Sequence, residues 1–184
     1  MARPVLWLAR ACAATGGLVL LALVILVVVS VTGRGLGTIG HGGGPDWLTA
    51  FGPVDGDFEL VEAGIAFAIF SFLPLAQVTG AHATVDVFTS ALPERAQAWL
   101  RAFWEVMLAG AILLIARQLW LGLLGKHRSG QTTFILQFPV WWAYAAAFAA
   151  AAVAALVAVW CADARLREAL TGRRRLPPGG GGDP

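Results

Sequence analysis

The sequence predicts an all-α integral membrane protein of four transmembrane helices, and three observations carry that prediction. Four long apolar stretches, at about 7–31, 58–78, 99–124 and 139–161, each supply the roughly 20 residues, at about 1.5 Å apiece, that a hydrocarbon core of about 30 Å demands. Of the 184 residues 58% are hydrophobic and 13% charged, and the mean hydropathy is +0.73, which leaves too little polar surface to cover a soluble globule. The stretches lack period-two alternation, so the backbone polar groups that lipid forces to pair internally must pair within helices and not around a barrel. One membrane domain over residues 1–175 is expected, followed by a disordered tail at 176–184.

Span one runs from Trp7 to Val31. Its apolar run is far longer than the roughly 7 to 15 residues of a signal-peptide core, and no A-x-A site follows, so it reads as a retained helix. The connection from Thr32 to Asp57 carries nine glycines with Pro45 and Pro53; it has little to bury and is expected to be a flexible loop or to wrap on a partner.

Span two, Phe58 to Val78, opens with Glu59 and Glu62, three residues apart and so on one face. Paired carboxylates can hold a cation or a proton, but the helix macrodipole and nearby water account for both without a coupling role. Pro74 lacks a backbone donor and should kink or loosen the helix just before Gln77.

Between spans two and three, the segment from His82 to Pro93 is too polar to cross a membrane. As a helix it places Val85, Phe88 and Leu92 on one face, with His82, Asp86 and Thr89 on the next. A short amphipathic helix lying on the interface is expected. His82 and Asp86 have the i, i+4 spacing that lets side chains meet, which points to a docking contact or a structural hydrogen bond ahead of a proton relay.

Span three, Trp99 to Leu124, holds Arg101 and Glu105, which can pair at i, i+4, and Arg117 with Gln118. Arg117 lies roughly 10 Å from the end of the span, where it can snorkel to water or pair with protein; it is expected to face protein. Span four, Pro139 to Cys161, has Trp141, Trp142 and Tyr144 at one interface and Trp160 at the other. The alanine-rich run between them permits close helix approach.

Basic residues set the orientation. With the N-terminus in the cytoplasm, nine arginines (Arg3, Arg10, Arg95, Arg101, Arg165, Arg167, Arg173, Arg174 and Arg175) lie inside against Arg34, Lys126 and Arg128 outside. The positive-inside rule then places both termini in the cytoplasm. Because topology already explains the basic residues, the net charge of +2 gives no reason to expect a nucleic-acid partner. Cys12 and Cys161 sit in different spans with no C-x-x-C, so neither a disulfide framework nor a thiol redox site is expected. His41 and His127 fall across the membrane from His82, so no metal site converges. No nucleophile sits with a base and no glycine loop cradles phosphate, so neither catalysis nor a cofactor is expected.

Several of these segments resemble one family. Phe58-Glu59-Leu-Val-Glu62, Phe72-Leu-Pro74, Gly80-Ala-His82-Ala-Thr-Val-Asp86 with Leu92-Pro93, and Thr132 through Gln137-Phe-Pro139-Val-Trp-Trp142 look like the small membrane subunit of TRAP transporters, the tripartite ATP-independent periplasmic uptake systems. The resemblance covers roughly Asp57 to Val159. It implies four membrane helices with cytoplasmic termini in the bacterial inner membrane, a large multi-span permease partner that carries the substrate and ion sites, and a periplasmic binding protein that delivers an organic acid. Glu59, His82, Asp86 and Pro139 are the positions that match the family's motifs. The chain departs from the family in having Gly80-Ala81 where a basic residue usually precedes the motif histidine, and in its long glycine-rich connection. The rival is a self-contained four-helix multidrug-type exporter acting as a homodimer, which needs a carboxylate deep in a span; Glu105 is the only residue remotely so placed.

Overall fold

A computed structural model describes residues 2–80 and 93–171. They form four helices, α1 (Ala2–His41), α2 (Asp57–Thr79), α3 (Glu94–Ser129) and α4 (Trp141–Thr171), with a short 3-10 turn at Asp46–Ala50. All four are long and apolar enough to cross a membrane. The interfacial helix expected between spans two and three, with His82 and Asp86, lies outside the described residues, as does the expected tail at 176–184.

The helices stand in an open row, α1–α2–α4–α3, because α1 packs on α2, α2 on α4 and α4 on α3; among the described residues α1 only grazes α4 and does not reach α3. Alternating up and down directions make the two central helices, α2 and α4, parallel. Side-chain size explains the order. α4 presents Ala147, Ala150, Ala151, Ala154 and Ala158, all at most 3% exposed, and such small groups let helices approach on both flanks. One cluster joins Ala109, Ile112 and Ala116 of α3 to Ala151, Ala154, Ala155 and Ala158 of α4, with Phe70 and Leu73 of α2 against it. A second, toward the other end of α4, brings Ala9 of α1 and Val78 of α2 onto Val157, Cys161 and Ala164. Both cysteines are free.

The α1–α2 seam follows the same logic with different residues. A methyl group on Gly16 would come within 2.6 Å of Ser71 Cβ, and Ser71 satisfies its own hydroxyl by donating to Phe67 O at 2.8 Å. Pro74 is fully buried inside α2; the helix continues through it, so the missing donor frees a carbonyl one turn earlier without ending the element.

The glycine-rich connection is where the sequence expectation fails. α1 does not stop near Val31 but continues as helix to His41, so the first ten residues assigned to a flexible loop are helical. The reason is a groove. Gly33, Gly37 and Gly40 line one face of the extension, and the backbone of Leu48, Thr49, Phe51 and Gly52 lies against them so closely that a side chain at Gly40 would meet Thr49 N at 2.7 Å. Each glycine costs the helix about 1 kcal/mol in propensity, offset here by the main chain packed in the groove. Gly37→Val is therefore expected to expel the 46–52 segment, seen as faster proteolysis between residues 42 and 56 with the membrane core intact; unchanged cleavage would contradict the groove.

Candidate functional site

The densest polar construction among the described residues sits where α1 ends, α2 begins and the α3–α4 loop turns. Glu59, in the first turn of α2, receives the backbone N–H groups of Ile135 at 2.6 Å and Leu136 at 2.9 Å. A carboxylate that accepts two main-chain donors fixes a loop in position as well as orientation. The loop is braced internally. Thr133 N–H donates to Phe138 O at 2.9 Å and Val140 N–H to Gln131 O at 3.0 Å, Thr132 and Pro139 form an isolated bridge, and Lys126 Nζ donates to Gln131 Oε1 at 2.6 Å.

Gln137 makes the tight turn. It holds φ at 56°, a left-handed conformation uncommon outside glycine, while its amide donates to Phe134 O at 2.7 Å and its Oε1 accepts from the Thr132 hydroxyl at 3.1 Å. Below the loop, Gly56 also has a positive φ, of 75°, and any side chain there would run into Leu136. The result is a fixed tip whose Phe134 is 90% exposed.

A second network ties α1 to the same place. The buried Ser30 hydroxyl donates to the Asp57 carboxylate and accepts from Val54 N–H at 3.2 Å. Arg34 stands 3.8 Å from the same carboxylate. Asp57 and Glu59 thus tie the start of α2 to α1 and to the α3–α4 loop, with carboxylates at a helix N-terminus where the macrodipole favours them.

The residues singled out from sequence separate into distinct places. Glu59 carries the clamp, but Glu62 is exposed and joins neither network, so the two carboxylates do not share a ligand. Pro139 starts the turn into α4, its carbonyl accepting from Trp142 N–H at 3.1 Å. Trp142 stacks on Phe138 with centroids 6.5 Å apart and is half exposed. Arg117 is exposed on α3, on the side turned away from α4. The expected Arg101–Glu105 pair is not formed: Arg101 donates to Gln97 Oε1 at 3.4 Å, because Glu105 lies on the face of α3 that packs against α4, within electrostatic reach of Arg165 and Cys161. Among the described residues no group of three or more His, Cys, Asp or Glu side chains is placed to hold a metal ion.

The opposite end of the bundle holds a cluster that sequence reasoning missed. Arg165 and Glu168 of α4 pair at 3.2 Å, each side chain 7% exposed. Far off in chain but next to Val78, which packs on Cys161 and Ala164 of α4, Gln77 of α2 is 2% exposed, and among the described residues both its amide atoms and Glu105 Oε1 are unbonded. The i, i+3 spacing of Arg165 and Glu168 was the available signal, but it gives no hint that the pair faces inward.

A profile of the family described as tripartite ATP-independent periplasmic transporters, DctQ component, matches residues 48–170, about two thirds of the chain. The chain belongs to the DctQ family. The match spans the Glu59 clamp, α2, α3 and almost all of α4, and it leaves the whole of α1 outside. Searches of curated proteins and of solved structures give no match. As a DctQ component the chain is the small membrane subunit of a TRAP transporter, which agrees with the resemblance drawn from the motifs and with the four helices seen here.

The clamp makes a direct prediction. Glu59→Ala should leave the helices folded but release the loop tip, so amide exchange at Ile135 and Leu136 speeds several-fold while that of the α4 core is unchanged. Exchange unaltered at both amides would mean that the carboxylate does not hold the loop.

Proposed function

We propose that the chain scaffolds the large permease subunit of its transporter in the bacterial inner membrane, while the ion and an organic acid delivered by a periplasmic binding protein bind to those partners. The open row supports this most directly. In the most apolar 18-residue stretch of α4, 44% of the residues are buried, against 11% for α1 and 17% each for α2 and α3, so three of four spans offer broad apolar flanks to lipid or another protein. The described polar groups concentrate at the two ends of the bundle, where Asp57 and Glu59 join α2 to α1 and to the α3–α4 loop and Arg165 pairs with Glu168, and they do not line a continuous path between those ends.

In this proposal both termini lie in the cytoplasm, as the nine-to-three arginine and lysine asymmetry favours. The Glu59 clamp and the Phe134 tip then face the periplasm. Uptake in proteoliposomes tests the division of labour. The small subunit alone should carry no solute, and uptake should appear only with the large subunit, the binding protein and an ion gradient; transport by the small subunit alone would establish the self-contained exporter instead.

His82 and Asp86 belong to the proposal as a docking or structural pair beside the cytoplasmic face. The double substitution His82→Ala with Asp86→Ala is expected to lower complex yield or uptake while insertion continues, and wild-type values of both would remove the pair from the interface.

A further inference from the structure

We infer that the face of α3 turned away from α4 is the seam against the large subunit, and that Arg117 pairs there with a carboxylate on one of that subunit's membrane helices. The inference rests on the scaffold function proposed above and specifies its interface.

Phe103, Val106, Gly110, Leu114, Arg117 and Leu121 recur at three- and four-residue spacing, so they share one side of the helix. All six are exposed, because α3 stands at the end of the row and, among the described residues, packs on α4 alone. Arg117 makes no ion pair among the described residues. A cation bare to lipid at this depth is costly, by about 2.5 to 3.5 kcal/mol at a helix centre on the insertion scale.

Snorkelling gives poor relief. The nearer boundary is at the C-terminal end of α3, marked by Lys126, His127 and Arg128, and Lys126 is nine residues on, roughly 13 Å along the axis. Side chains of a helix lean toward its N-terminus. Arg117 is therefore aimed toward the bilayer interior and away from the headgroups it would need to reach. A charge so directed calls for a protein acceptor at its own depth, and the complementary group is a carboxylate, which the guanidinium engages in two parallel hydrogen bonds.

Gly110 agrees with that placement. It lies two turns before Arg117 on the same side, and a side chain there would meet nothing within 4 Å among the described residues. It is thus not needed for packing on α4, yet it lets a foreign helix come close.

The test uses the two membrane subunits co-expressed. A photo-crosslinking residue at Leu114 or Leu121 should trap the large subunit, whereas one at Ile115, about 160° around the helix from Arg117, should trap lipid. Arg117→Leu should cut recovery of the large subunit about tenfold or more, with Arg117→Lys keeping much of it. Normal recovery with Arg117→Leu, together with lipid adducts only at Leu114 and Leu121, would overturn the seam while leaving the scaffold function standing. Failure of the unsubstituted chain to recover any large subunit would remove both.

Discussion

Arg165→Leu is expected to be the most damaging single substitution in the folded bundle, at about 3 to 5 kcal/mol. The guanidinium and Glu168 pair at 3.2 Å with each side chain 7% exposed, and Glu105 on α3 feels the same positive charge. Removing the cation leaves the buried Glu168 carboxylate with no counter-charge among the described residues and strips Glu105 of a nearby positive charge, and that penalty exceeds the lost attraction. The double substitution Arg165→Leu with Glu168→Leu should recover much of the loss, since an apolar pair of similar volume is often tolerated where a lone charge is not. Thermal unfolding in mild detergent measures both. A double variant no more stable than the single one would show that the pair does not act as a unit.

Ala158→Leu should be nearly as harmful, although alanine to leucine looks innocuous in a membrane helix. Ala158 is fully buried in the cluster where α3 and α4 meet under Phe70 and Leu73 of α2. Three added carbons have no void to enter, so the helices must separate or strain, at about 1 to 3 kcal/mol for an overpacked core. The contrast is Leu156→Ala on the same helix. Leu156 is 69% exposed, and its truncation should move the unfolding midpoint little. Equal shifts from the two variants would refute the row as described.

The helices and their order along the chain were legible because length and hydropathy are local properties, and lipid leaves few alternatives to a helix. The alanine run of span four likewise announced close packing, though not that α4 would sit at the centre with neighbours on both sides. The extension of α1 was hidden by the opposite effect. Gly33, Gly37 and Gly40 read as a breaker when judged by propensity, and only the tertiary contact with the 48–52 backbone turns the same residues into a groove. Glu59 was identified as a helix N-terminal carboxylate, but its partners lie about 75 residues later, beyond the reach of any spacing rule. Glu105 shows the limit most clearly, because i, i+4 spacing permits a pair with Arg101 and packing against α4 turns the carboxylate elsewhere.

Affinity purification from gently solubilised membranes of the native host tests the central claim most directly. The account predicts that the tagged chain brings down a much larger multi-span membrane protein in near-stoichiometric amount. Recovery of the chain by itself, as a stable homodimer, would contradict the scaffold function and return attention to Glu105 and Arg117 as residues of a self-contained transporter.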